Sequence, residues 1–264
     1  MHGLRRVLPN SKALAAAAAD LFALTAERAS AARGRFTVAF SGGSTPKSLF
    51  ERLASPELSK RVDWAHTQIF WSDERCVPPD HADSNYRMAK EALLSKISIR
   101  DSNVHRIHGE AEDREGEAWA YERTLRRFCG AGCGPGADAT EDISHNDSDW
   151  PVLDLVLLGM GSDGHTASLF PGTDALYETE RAVVPVFAPS KGNWRITLTL
   201  PTIDSARRVV VLAAGAEKRD MLARVIADPR AAGDGALPIC RVSPDDLLWL
   251  VDRESMGEEN RAGG

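Results

Sequence analysis

Asp163 and His165 stand two residues apart on a glycine-rich turn, Gly159-Met160-Gly161-Ser162-Asp163-Gly164-His165, that follows the apolar run Leu155-Val156-Leu157-Leu158. A short apolar run reads as a buried strand. In open α/β sheets, ligands bind at the carboxyl ends of strands. A histidine placed there can move protons near neutral pH, and the aspartate can orient the ring or stabilise its charged form. Two other readings stand beside this one. Gly159-x-Gly161-x-x-Gly164 also fits a dinucleotide-binding turn, with Glu178 and Glu180 as the ribose acid. Those glutamates, however, precede the next apolar run at 182–187, and His165 stands where a cofactor helix continues with small apolar residues. The third reading is a structural turn without chemistry.

Two further strand ends carry candidate groups. Ser41-Gly42-Gly43-Ser44-Thr45-Pro46 follows a strand at 36–40. Glycines let the backbone approach an anion, and free N–H groups with the helix dipole favour phosphate. Pro46 suits the first turn of a helix that Ser44 or Thr45 would cap. No Gly-Lys-Ser/Thr follows, so a Walker loop is unsupported. Ser72-Asp73-Glu74-Arg75 follows a strand at 67–71. Arg75 can grip an anionic oxygen through two N–H groups, with Asp73 and Glu74 tethering it or meeting substrate; a surface ion-pair cluster is the alternative. Lys191 and Arg195 add positive charge to the same region, or simply form a charged loop entering a strand.

Other chemistries find less support. Ser44 and Ser162 each lack one flanking glycine of a Gly-x-Ser-x-Gly elbow, which disfavours a serine hydrolase. Cys129, Cys133 and His145 fit no compact zinc spacing. The remaining set is a histidine beside an aspartate, a phosphate-type loop and an arginine. It suits water activation against the carbonyl of a phosphorylated small molecule.

These groups need a frame. The 264 residues, 43% hydrophobic, suit one large α/β domain or two small ones. A net charge of −6 argues against a general nucleic-acid binder. No apolar run approaches the ~20 residues of a membrane helix, no signal peptide is evident at the N-terminus, and four cysteines without a disulfide framework point to a reducing cytoplasm. Helices are expected over 14–32 (capped by Asn10 or Ser11), after Pro46, over 86–94 (begun by Ser84 or Asn85), 115–128 and 217–227. Strands are expected at 36–40, 67–71, 103–107, 182–187, 195–200, 208–213 and 247–251, besides the run before Gly159. This alternation implies an α/β, mostly parallel, Rossmann-like three-layer sheet with helices on both faces. Residues 129–149, rich in Gly, Ala, Ser and Asp, read as a flexible insertion in a domain spanning 1–252, and 253–264 as a frayed tail.

Three blocks in this order resemble the 6-phosphogluconolactonase family: Ser41 to Pro46, Trp71 to Pro78 with Ser84-Asn85-Tyr86, and Gly159 to Pro171. Arg195-Ile196-Thr197-Leu198-Thr199 is similar to a fourth. The resemblance implies the fold shared by glucosamine-6-phosphate deaminase, ribose-5-phosphate isomerase and coenzyme A transferases. It also implies hydrolysis of 6-phospho-D-glucono-1,5-lactone in the oxidative pentose phosphate pathway, with no metal or organic cofactor. The expected partner is a small phosphorylated sugar lactone, with neither nucleic acid nor membrane, and the expected state a monomer or small homo-oligomer. On this reading His165 is the general base and Asp163, or another carboxylate, holds its ring. Arg75 stabilises the oxyanion or binds substrate. Gly42, Gly43, Ser44, Thr45 and Arg195, with Asp73 and Lys191, hold the 6-phosphate end. Two places depart from the family pattern: 129–149 is longer than expected, and a further proline is expected after Lys191. Alternatives are an isomerase or deaminase of the same fold, for which Asp-Glu-Tyr is expected in place of Asp73-Glu74-Arg75, and a non-catalytic sugar-phosphate sensor.

Overall fold

The structure is a computed structural model and describes residues 2–130, 150–227 and 237–258. In chain order the first elements are β1 (Leu4–Leu8), α1 (Ser11–Arg33), β2 (Phe36–Phe40), α2 (Ser44–Leu53), the short α3 (Pro56–Ser59), β3 (Thr67–Trp71), β4 (Asp73–Arg75), α4 (Asn85–Ala92) and α5 (Arg114–Cys129). There follow β5 (Leu155–Gly159), β6 (Val183–Ala188), β7 (Asn193–Leu198), α6 (Leu200–Asp204), β8 (Val209–Ala213), α7 (Arg219–Ala227) and β9 (Leu247–Asp252). Six strands pair in parallel in the order β1-β9-β8-β5-β2-β3. Every residue of β2 and β8 is buried, which requires cover on both faces and accounts for their apolar sequences, broken only at Thr37, which donates to Asp154. Part of that cover is α1. Asn10 caps it by accepting from Ala13 N, and Gly34 ends it in the left-handed region. Its buried alanines keep the helix close to the sheet, and Phe22 meets Phe36 edge-on at 5.2 Å. Such a pair contributes about 0.5–1.5 kcal/mol beyond the area it buries.

The chain leaves β2 for β3 on one side, while β5 lies on β2's other side. The loops after β2 and β5 therefore diverge, and the crevice between them is where this class of sheet binds ligands.

A second sheet, β4-β7-β6, is antiparallel. The sequence reading put 182–187 and 195–200 in the parallel series. The connection between them is only four residues, turned by Gly192 at φ +68, and a parallel pair needs a crossover of a dozen or more. Residues 73–75, read as the end of the strand at 67–71, form a separate strand that pairs with β7, Arg75 opposite Arg195. The expected strand at 103–107 is reduced to a 3₁₀ turn at Asp101–Asn103 and one bridge, Val104 to Ile69. There Asn103 Nδ2 donates to Ala65 O (2.9 Å), and His105 stacks on Phe70 and donates from Nε2 to Gln68 Oε1 at 2.7 Å. Burial pushes the His105 imidazole down to about 4.

β1 was not expected. It is an edge strand of which only Leu8 is buried, so it carries no apolar pattern and is held by its ladder to β9. The start of the expected tail is ordered as well. Asp252 is buried and accepts from Gly215 N and Ser255 N, and Ser255 Oγ donates to Ala213 O. Of the expected insertion at 129–149, Cys129 instead ends α5 and is buried, while 131–149, with Cys133 and His145, and the tail beyond 258 lie outside the described residues.

Candidate active site

Gly43, not Ser44 or Thr45, is the N-cap of α2. It sits at φ +110 and offers no side-chain acceptor to the first turn, so the helix's N–H groups are left to an external acceptor. Gly42 is required by close approach. A Cβ there would lie 1.8 Å from Asn85 Oδ1.

The turn after β5 is not followed by a helix. Thr166 bridges to Leu169, Ala167 takes φ +47, and the next helical turn is a 3₁₀ segment at Asp174–Tyr177. A dinucleotide's pyrophosphate would have no helix N-terminus to rest on, so that reading fails. The turn instead folds back on itself. Gly161 N donates to His165 O at 2.8 Å, and a Cβ on Gly161 would lie 2.1 Å from His165 Nδ1. The glycine thus gives the imidazole its place. Asp163 Oδ1 accepts from His165 Nδ1 and, at 3.2 Å, from His165 N. Burial pushes the Asp163 carboxyl up, but the hydrogen bonds and charge of His165 outweigh it and hold the group below its ordinary value. A carboxylate only accepts, so Nδ1 carries the proton and Nε2 presents a lone pair. Phe170 packs on the other face of the ring, centroids 4.4 Å apart.

Arg75 is held at one nitrogen. Its Nη1 donates to Asp83 O and to Asn85 Oδ1, both at 2.6 Å. Glu74, 2% exposed, fixes the surrounding backbone rather than the cavity. Its carboxylate accepts from the N–H groups of Arg75, Asn85 and Tyr86 and from Ser84 Oγ. Burial pushes Glu74 upward against those bonds. Arg195 is 6% exposed, its guanidinium 3.8 Å from Asp73 Oδ2 and over the Phe170 ring at 5.6 Å. Burial lowers its pKa and Asp73 opposes that. Asp73 also accepts from Ser168 Oγ at 2.6 Å and Asn85 Nδ2 at 3.4 Å.

Nine of the ten expected site residues line one cavity of about 480 Å³. Gly42, Gly43, Ser44 and Thr45 of the loop after β2, Asp73 and Arg75 of β4, Arg195 of β7, and His165 and Lys191 all line it. Asp163 is the tenth and stands behind His165; Ser190 Oγ, next to Lys191, is 3.5 Å from its Oδ2. The sequence reading missed Asn85, Glu217 and Lys218, which also line the cavity. The last two follow β8 through Gly215 (φ +94), so the strand-end rule that found the other loops would have found them. Arg75, Arg195, Lys191 and Lys218 outnumber the carboxylates of Asp73 and Glu217, and the cavity favours an anion. A larger cavity, about 630 Å³, lies by α4, α5 and residues 94–108, with His105 and Arg106 among its walls. It has no strand-end glycine loop, and its histidine–carboxylate pair, His108 Nδ1 with Glu117 Oε1 at 2.9 Å, leaves the imidazole largely exposed.

A family model described as glucosamine-6-phosphate isomerases/6-phosphogluconolactonase matches residues 9–249. The chain is 40% identical over 253 residues to a 6-phosphogluconolactonase of Nostoc, covering 96% of each. It is 40% identical over 235 residues to one of Synechocystis, covering 89% of this chain and 88% of that one. The solved 6-phosphogluconolactonase of Trypanosoma cruzi superposes with a TM-score of 0.79 at 31% identity, over 99% of this chain and 98% of that one. Among the described residues no helix is long and apolar enough to cross a membrane.

Proposed function

The chain belongs to the glucosamine-6-phosphate isomerase/6-phosphogluconolactonase family, and we propose that His165, polarised by Asp163, drives the reaction of its cavity. That reaction is hydrolysis of 6-phospho-D-glucono-1,5-lactone to 6-phospho-D-gluconate in the pentose phosphate pathway, which makes the protein a hydrolase acting on a carboxylic ester. The observation that carries the mechanism is His165, hydrogen-bonded to Asp163, lining the same cavity as the uncapped N-terminus of α2.

The 6-phosphate rests on the backbone of Gly42 to Thr45 and on Arg195, with Lys191 adding charge. Fixing that end sets C1 against His165. Nε2 takes a proton from water as its oxygen bonds to C1, and the carbonyl electrons move onto the oxygen. Arg75 faces this oxyanion with Nη2, which carries no hydrogen bond among the described residues. The intermediate collapses, the C1–ring oxygen bond breaks, and protonated His165 returns its proton to the leaving oxygen. Asp163 keeps the imidazole in the useful tautomer throughout. Asp73 holds Arg195 and is itself shared with Ser168.

A cytoplasmic location fits Cys76, Cys129 and Cys240, which form no disulfide among the described residues, and the net charge of −6 fits a protein without a nucleic-acid partner. The test of the reaction is lactone hydrolysis above its spontaneous rate, run beside ammonia release from glucosamine 6-phosphate. Lactone turnover without ammonia is expected. Ammonia release with lactone left at its spontaneous rate overturns the reading.

A further inference from the structure

Asn85 opens α4, and its side chain reaches the cavity wall at the point where the two loops of the site touch. Its Oδ1 accepts from Arg75 Nη1 at 2.6 Å, while its Nδ2 donates to Asp73 O at 2.8 Å and Oδ1 at 3.4 Å. The same Oδ1 occupies the space that a Cβ on Gly42 would need. The amide is not free to turn. Exchanging its oxygen and nitrogen would set an N–H₂ against the guanidinium and an oxygen against the carbonyl and carboxylate of Asp73. Its backbone is fixed as well, since Asn85 N donates to buried Glu74 at 2.7 Å. The second Nη1 hydrogen goes to Asp83 O, so both donors of that nitrogen are used and the guanidinium is clamped along one edge. Nε is buried without a partner. Nη2, which carries no hydrogen bond among the described residues, remains for an anionic oxygen.

We propose that Asn85 is a positioning residue for the reaction. It fixes the Arg75 guanidinium relative to the anion loop, so that the group binding the far end of the substrate and the group facing the developing charge at C1 hold a constant separation. Gly42 is the other half of the device, because only a residue without a side chain admits the amide. The inference rests on the reading of Arg75 as the group that meets the oxyanion or the substrate.

The contact acts in the transition state and leaves the phosphate contacts alone, so its loss falls on kcat. Asn85→Ala is expected to lower kcat about 10–100-fold, as for one misplaced charge-assisted donor, with KM changed less than threefold. Asn85→Leu has nearly the same shape, keeps the packing against Gly42 and serves where the alanine variant does not fold. Adding guanidinium ion to Arg75→Ala gives a readout that a merely structural asparagine would not move. The ion is expected to restore part of the activity, and the concentration for half-rescue should rise at least fivefold in Arg75→Ala/Asn85→Ala. Equal rescue in both backgrounds, or unchanged kcat in Asn85→Leu while Arg75→Ala is impaired, overturns the role of Asn85. Unimpaired Arg75→Ala overturns the reading of Arg75 instead, so the two failures are distinct.

Discussion

Arg195→Ala separates substrate anchoring from chemistry. Arg195 is nearly enclosed, over Phe170 and 3.8 Å from Asp73, and its guanidinium meets the cavity beside the loop of Gly42 and Gly43. A hydrogen bond to a charged group contributes about 1.5–3 kcal/mol net. At about 1.4 kcal/mol per factor of ten, that loss raises KM roughly 10–150-fold. The phosphate is bound alike in the ground and transition states, so kcat should change less than about threefold. The stability cost can be bounded too. Leaving a buried charge without its partner costs about 3–5 kcal/mol, but Asp73 keeps Ser168 at 2.6 Å and Asn85 at 3.4 Å. The loss then reduces to a long ion pair, the hydrogen bond from Nε to Asn193 Oδ1 at 3.2 Å and a cation–π contact of about 0.5–1 kcal/mol, together about 1–3 kcal/mol and a melting point lower by roughly 2–12 °C. Arg195→Lys keeps the charge without the fork and should recover part of KM. Proton release at constant pH over a range of lactone concentrations, corrected for spontaneous hydrolysis, gives both constants. Unchanged KM with a collapsed kcat would place Arg195 at the reacting carbon and refute the anchoring argument.

Asp163→Asn retains the size of the side chain and allows the imidazole to swap tautomers; kcat should fall at least about 10²-fold with KM nearly unchanged, in the same assay. Gly161→Ala puts a methyl group where the His165 ring now lies, so activity should drop by about 10²-fold or more while circular dichroism stays native. His105 titrates at about 4 in the folded protein against about 6.5 unfolded. Between those values the unfolded chain binds the proton and the folded one does not, so stability falls as pH is lowered from 6.5 to 4. In His105→Gln, urea midpoints measured across that window should show a shallower slope.

The central sheet could be read from the sequence because its strands are buried on both faces. Residues 36–40 and 67–71 are mostly apolar, interrupted by Thr37, Thr67 and Gln68, and their boundaries agree with β2 and β3. β1 escaped because an edge strand of which only Leu8 is buried needs no such run. The β6–β7 hairpin was seen as two strands but given the wrong direction, since the length of the connection decides that and apolar pattern does not. The site was legible where glycine, charge and a strand end coincide, as at Gly42, Asp73 and Gly161. Asn85 carried no such signal by itself, whereas Gly215 with Glu217 and Lys218 after β8 did and was passed over. The first residue of a helix becomes informative only when the fold brings it beside the loop after β2. Glu74 reads like a reactive group in sequence, and only its three backbone N–H partners show that it holds the loop together.

The most direct measurement is kcat for lactone hydrolysis by His165→Ala, above the uncatalysed rate and with the folded state checked by melting. A positioned base contributes about 10²–10⁴-fold, so kcat should fall by that factor while KM stays within a few-fold. A variant that still turns over the lactone at close to the full rate would contradict the imidazole's role and the mechanism built on it.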